Sequence, residues 1–121
     1  MKITSFNPII VTSKSDDLVK LFEELGFEKK HHNEEVDDRH SYRMKDANGF
    51  HVDVVQNDEA VRDTTVIRMN VDNFDEAHDF LLQRGFKDGP RMLDKKSAKS
   101  MGMISPTGFV IGLIEHKKNH D

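Results

Sequence analysis

Apolar positions along this chain change period, and the changes come twice. Ile3, Phe6, Ile9, Ile10 and Val11 form an apolar, partly β-branched run over 3–11 that predicts a buried strand, with Pro8 marking an edge or an irregular start. Leu18, Leu21, Phe22 and Leu25 then fall at helical spacing, which predicts an amphipathic helix over 15–25. Ser13 with Asp16 resembles a capping box, and Gly26 stands where the helix should stop. Strand-like segments follow at 27–34, 39–45 and 50–56. The last two are joined by the turn Asp46-Ala47-Asn48-Gly49, in which Asn48 and Gly49 can take positive φ.

After a polar linker at 57–63 the same grammar returns. A strand is predicted over 64–71, and Asn73 with Glu76 can cap a helix whose stripe is Phe74, Ala77 and Leu81 and whose stop is Gly85. Strands at 86–93, 98–105 and 109–115 follow, the last two joined by Ser105-Pro106-Thr107-Gly108, and a polar tail begins at 116. Gly26-Phe27 recurs as Gly85-Phe86 and Gly49-Phe50 as Gly108-Phe109, both displaced by 59 residues. The chain therefore reads as one domain, 1–121, made of module 1–56 and module 64–116, each strand, helix, strand, strand, strand. The Phe of each Gly-Phe pair is expected in the core, packing sheet against helix.

Composition narrows the function classes. At 121 residues, neither half alone would bury enough surface for a stable core. A third of the residues are charged and 36% are hydrophobic, which favours a thin sheet-based core under a solvated exterior. The net charge of −4 and the absence of a basic stripe argue against nucleic acid. No stretch approaches a membrane span. There is no cysteine, hence no disulfide framework and no thiolate chemistry, which fits a cytoplasmic protein.

Phe22-Glu23-Glu24-Leu25-Gly26-Phe27, Val71-Asp72-Asn73 and Ser105-Pro106-Thr107-Gly108-Phe109-Val110-Ile111 together resemble the vicinal oxygen chelate superfamily of glyoxalase I, bleomycin-resistance proteins and extradiol dioxygenases. The resemblance covers nearly the whole chain. It implies an α+β fold of two βαβββ modules pairing into a curved sheet with a cleft. In metal-dependent members it also implies one divalent ion held by two residues of each module, at places that fall here on Asn7, Asp53, Val66 and Gly112. Val66 has no donor atom and Gly112 no side chain, so the metal site is expected to be lost and no cofactor is expected.

Strand alternation then lists what the cleft would carry. His51 and Val55 share a face with Asp53, Val110 and Ile114 with Gly112, Ile9 and Val11 with Asn7, and Arg68 and Asn70 with Val66. Pairing across four-residue turns would set Tyr42 and Met44 beside Asp53 and His51, and Met101 and Met103 beside Gly112 and Val110. The ligand-binding set is thus Asn7, Tyr42, His51, Asp53, Arg68, Asn70, Met101 and Met103. His51, Asp53 and Arg68 are the catalytic candidates should there be a reaction. Arg68 could take a carboxylate or phosphate, or could pair with Asp53; His51 could be a general base, or an ordinary histidine on a sheet edge. His31, His32 and His40 suggest a second metal cluster, but His31 and His32 point to opposite faces of a strand without a bulge.

The expected function is metal-free binding of a small organic molecule, anionic if Arg68 reads it. The absence of Trp and the single Tyr speak against a large aromatic ligand. A lyase or isomerase of the same superfamily, and a non-catalytic dimeric scaffold, are the alternatives. A homodimer is the expected assembly.

Overall fold

The computed structural model describes residues 1–30, 41–90 and 98–116. The expectations for 31–34, 39–40, 91–93 and 117–121, with those for His31, His32 and His40, lie outside the described residues. Among the described residues the elements are β1 (Ile3–Thr12), α1 (Ser15–Glu24), β2 (Glu28–Lys30), β3 (Ser41–Lys45), β4 (His51–Gln56), β5 (Thr64–Val71), α2 (Phe74–Leu82), β6 (Lys87–Asp88), β7 (Ala98–Ile104) and β8 (Val110–His116). This is the expected α+β alternation, read twice.

The chain divides into two compact units. The first, residues 7–66, orders its strands β2-β3-β4-β1, with β1 parallel to β4 and the intervening hairpins antiparallel. The second, residues 1–6 with 67–121, orders its strands β5-β8-β7-β6 in the same sense. The first six residues join the second unit because Lys2 exchanges two hydrogen bonds with Asp72. The Asp72 N–H donates to the Lys2 carbonyl at 3.0 Å and the Lys2 N–H donates to Asp72 Oδ1 at 2.6 Å.

Each helix stops as the sequence predicts. Gly26 and Gly85 both take positive φ, at 105° and 91°. In the first unit the Phe27 N–H reaches back to the Phe22 carbonyl (2.9 Å) and the Gly26 N–H to Glu23 (3.0 Å), satisfying carbonyls that the helix leaves open. Phe22 and Phe27 close the motif edge to face at 5.4 Å. The starts differ from each other. Asn73 Oδ1 accepts the Glu76 N–H at 3.1 Å, as expected of a cap. Ser13 caps nothing: the first unit's N-cap is Lys14, whose side chain makes no cap bond. Gln56, at the end of β4, does the work from a distance, its Oε1 accepting the Ser15 N–H (2.9 Å) and its Nε2 donating to the Ser13 carbonyl (2.8 Å).

Two clusters of apolar side chains hold the units. Val19, Met44, Val52 and Val54 are buried in the first, with Ile10, Leu18, Phe22, Phe27 and Tyr42 against them. Met69, Val71, Phe74, Ala77, Leu81, Met103, Ile111 and Leu113 are buried in the second, with Phe86 and Met101 against them. The α2 stripe is the predicted one. On α1 it is rotated: Leu18, Val19 and Phe22 face the sheet while Leu21 and Leu25 are exposed.

The hairpin register corrects the sequence reading by one residue in both halves. Lys45 pairs with His51, so the loop holds five residues, 46–50, rather than four. A tight turn closes with the Gly49 N–H on the Asp46 carbonyl, and Gly49, at φ 89°, adds one residue before β4 begins. Asp46 Oδ1 braces the loop by accepting the N–H groups of Asn48 and Phe50. Ser105 does the same in the second unit with its Oγ, and Ile104 pairs with Val110. One residue of slip exchanges the two faces of a strand. Tyr42 and Met44 therefore face α1, and Met101 and Met103 face α2. Phe50 and Phe109 are left in the loops, 68% and 51% exposed, while Phe27 and Phe86 pack as expected.

Candidate functional site

The face of the first unit opposite α1 carries Asn7 and Ile9 from β1, Ser41 and Arg43 from β3, and His51, Asp53 and Val55 from β4. Parallel pairing sets Ile9 beside Asp53, and antiparallel pairing sets Arg43 beside Asp53 and Ser41 beside Val55. Asp53 is fully buried, yet its carboxylate is well supplied with donors. Arg43 grips it with two prongs, Nε to Oδ1 at 2.9 Å and Nη2 to Oδ2 at 3.1 Å. Asn7 Nδ2 adds a third bond to Oδ2 at 3.1 Å and donates also to the Pro8 carbonyl at 2.9 Å. Both partners of that nitrogen only accept, so the Asn7 amide must present its N–H₂ side to Asp53.

Among the described residues, two polar atoms on this face are buried without a hydrogen-bond partner, Ser41 Oγ and His51 Nε2. Such atoms are costly in a folded chain, and a ligand or water commonly answers them. They lie on either side of the Arg43–Asp53 pair, because Ser41 and His51 are each one alternation away from it on their strands. The other ring nitrogen, His51 Nδ1, lies 3.4 Å from the Gly49 carbonyl. A carbonyl can only accept, so Nδ1 is the donor in this contact, and in the neutral ring the lone pair is then on Nε2.

The structure brings Asn7, His51 and Asp53 onto one face and takes Tyr42 off it. Tyr42 packs against α1, has Lys29 Nζ 5.0 Å from its ring, and lines a groove of about 500 Å³ with Ser13, Lys14, Ser15, Asp16, Asp17 and Gln56. In the second unit Arg68 is buried and donates from Nε to Asn70 Oδ1 at 3.2 Å. Arg68 pairs with Gly112, and Gly112 with Gly102, so two neighbouring positions beside it bear no side chain. Met101 and Met103 belong to the core against α2.

Arg43 and Ser41 are the site residues that sequence reasoning missed. Gly49 admits a fifth loop residue without requiring it, and its backbone angle, not its identity, sets Arg43 opposite Asp53.

The metal site implied by the resemblance does not fit these residues. Val66 and Gly112 offer no donor, Asn7 turns its N–H₂ inward, and both Asp53 oxygens already accept bonds. Among the described residues no group of three or more His, Asp or Glu side chains is placed to hold an ion. No helix among them is long and apolar enough to cross a membrane.

No known protein family and no curated protein matches the sequence. Solved structures do match the fold. Methylmalonyl-CoA epimerase from Mycobacterium tuberculosis superposes with a TM-score of 0.67 at 14% identity, over 96% of this chain and 90% of that one. A Streptomyces coelicolor methylmalonyl-CoA epimerase in complex with 2-nitronate-propionyl-CoA gives 0.65 at 11%, over 97% and 100%. A glyoxalase/bleomycin resistance protein/dioxygenase superfamily member from Vibrio splendidus 12B01 gives 0.62 at 11%, over 95% and 99%. At such identities the likeness establishes the vicinal oxygen chelate fold and nothing finer.

Proposed function

We propose that this vicinal oxygen chelate fold serves to bind a small organic molecule, without a resident divalent ion, on the face of the first unit opposite α1. The observation that carries the reading is the pair of buried polar atoms without partners, His51 Nε2 and Ser41 Oγ, flanking a charge pair that is itself satisfied. A ligand that offers a donor to Nε2 and a donor or acceptor to Oγ answers both at once. Ile9 and Val55, both buried, are the apolar neighbours of these polar atoms on the same face, a mixture of the kind that suits a small ligand. Arg68, buried beside two glycines, is the second unit's candidate for reading an anionic group. A homodimer, in a reducing cytoplasm, completes the reading; Leu21, Leu25 and Phe50 stand exposed in the first unit, and the chain holds no cysteine.

A thermal-shift screen of the untagged chain against small carboxylic acids, phosphates, acyl-CoA thioesters and antibiotics tests it. The expected result is a hit weakened at least about 10-fold, or ~1.4 kcal/mol, in His51→Gln and also in Ser41→Ala. A hit indifferent to both substitutions places the binding surface elsewhere and sinks the reading. Sedimentation over a concentration series checks the dimer.

One observation favours a second reading, an isomerase. In the neutral ring with its proton on Nδ1, the Nε2 lone pair of His51 has the form of a general base for a carbon acid. Two of the superposed folds are epimerases of an acyl-CoA thioester. Methylmalonyl-CoA in heavy water is the corresponding probe. Deuterium entering the carbon between the two carbonyls, and failing to enter with His51→Gln, would establish it; no exchange would leave the binding protein.

A further inference from the structure

We infer that Arg43 is a built-in cation that takes the place of a divalent ion beside Asp53, so that this face is closed to metal by its own sequence and not merely short of ligands. The inference stands whether or not a small molecule binds the face. Three observations carry it.

The first is geometry. The five-residue loop sets Arg43 directly opposite Asp53, and a guanidinium fork matches a carboxylate two bonds at a time, here at 2.9 and 3.1 Å. The carboxylate is buried at 1% side-chain exposure, and its counter-charge keeps 28%. A divalent ion approaching Asp53 would meet a fixed positive charge and would have to break both bonds. The second is the orientation of Asn7. An amide can ligate a hard cation only through its oxygen. Here the nitrogen is turned toward Asp53 and is held by a second acceptor, the Pro8 carbonyl. The neighbour that a metal would recruit has become a further donor to the carboxylate.

The third is the repeat. The positions 59 residues on from Arg43 and Asp53 are Gly102 and Gly112, which also pair directly. One unit has both charges and the other has neither. A buried carboxylate without its guanidinium would leave an uncompensated charge in the interior, which is strongly destabilising. The two residues thus behave as one feature, present or absent together.

Titration of the untagged full chain with Zn²⁺, Ni²⁺ and Mn²⁺ tests the inference, followed by calorimetry and by melting temperature. The unaltered chain should take up no equivalent of any ion at Asp53. Asn7→His places an imidazole next to Asp53 and should still bind none there, because Arg43 holds the carboxylate. Asn7→His combined with Arg43→Gln should take up Zn²⁺ or Ni²⁺ at Asp53 where Asn7→His alone takes up none, in keeping with a released carboxylate beside an imidazole. An equivalent bound by the unaltered chain and lost in Asp53→Asn overturns the inference, as does equal binding by the single and double variants. Should the double variant not fold, the melting series decides. Arg43→Met should lower the midpoint by roughly 10 °C, and Arg43→Met with Asp53→Leu should recover most of it. A double variant as unstable as the single one shows that Arg43 is not there to balance Asp53.

Discussion

Gly102 on β7 stands directly opposite Gly112 on β8, in the register where the first unit sets Arg43 opposite Asp53. The two units keep the same backbone pairing to the residue, one with a charge pair at these positions and the other with two hydrogens. Conformation and chemistry are thus set separately in this chain, and each can be probed separately.

The Arg43–Asp53 pair should be worth most when one member is missing. Asp53→Leu alone or Arg43→Met alone is expected to cost about 3 kcal/mol, because each strands the partner's charge, whereas the double substitution should cost less than either. Arg43 is partly exposed and water can reach it, so the figure sits at the low end of the usual range. Urea denaturation of the four proteins gives the coupling.

The loop glycines hold the register. Gly49→Ala and Gly108→Ala are each expected to cost about 1 kcal/mol, since φ of 89° and 108° is reached without strain only where there is no Cβ. Nothing lies within 4 Å of a Cβ built at either position, so the cost is conformational and not steric. Replacing either residue with Asn, which tolerates this region, should recover part of it, as measured by melting temperature.

The two helices should respond differently to loss of their apparent caps. Asn73→Ala should cost about 1 kcal/mol, because its Oδ1 holds the Glu76 N–H. Ser13→Ala should cost under about 0.5 kcal/mol, in line with a surface change. Gln56→Ala, 41 residues downstream of the Ser15 N–H that it satisfies, should behave like the loss of a cap. Equal effects at Ser13 and Asn73 would contradict the structure.

Met44 and Met103 distinguish the two possible registers. Both are wholly buried against their helices, so Met44→Ala and Met103→Ala are each expected to cost about 2–5 kcal/mol and to leave a ligand hit unchanged when binding is measured below the melting point. If either substitution weakened binding without destabilising the chain, the methionine would belong on the ligand-facing side.

Much of the fold was legible in the amino acids because its signals are local. Helical spacing, a glycine after each helix and a repeated strand pattern depend on neighbours within a few residues, and Gly26, Asn73 and Gly85 do in the structure what their positions suggested. His51 and Asp53 were legible as companions because alternation along one strand sets them on the same face; Asn7 joined them only through what the family resemblance implies, and the parallel pairing of β1 with β4 brings it to Asp53. The hairpin partners were less so. Whether Tyr42 or Arg43 meets Asp53 depends on one residue in the loop, and that residue is counted by the backbone angle of Gly49 rather than by its identity.

By itself the sequence determined the elements, their order, the duplication, and the absence of metal donors at Val66 and Gly112, since each follows from a residue's own chemistry and short-range geometry. The tertiary structure alone decided which side of each strand faces its helix, that Gln56 and not Ser13 closes α1, and that Asp53 is answered by Arg43. Those outcomes rest on pairings between residues 10 to 46 apart. Such pairings form only when loop geometry fixes the register, and a shift of a single residue sends every side chain on the strand to the opposite face.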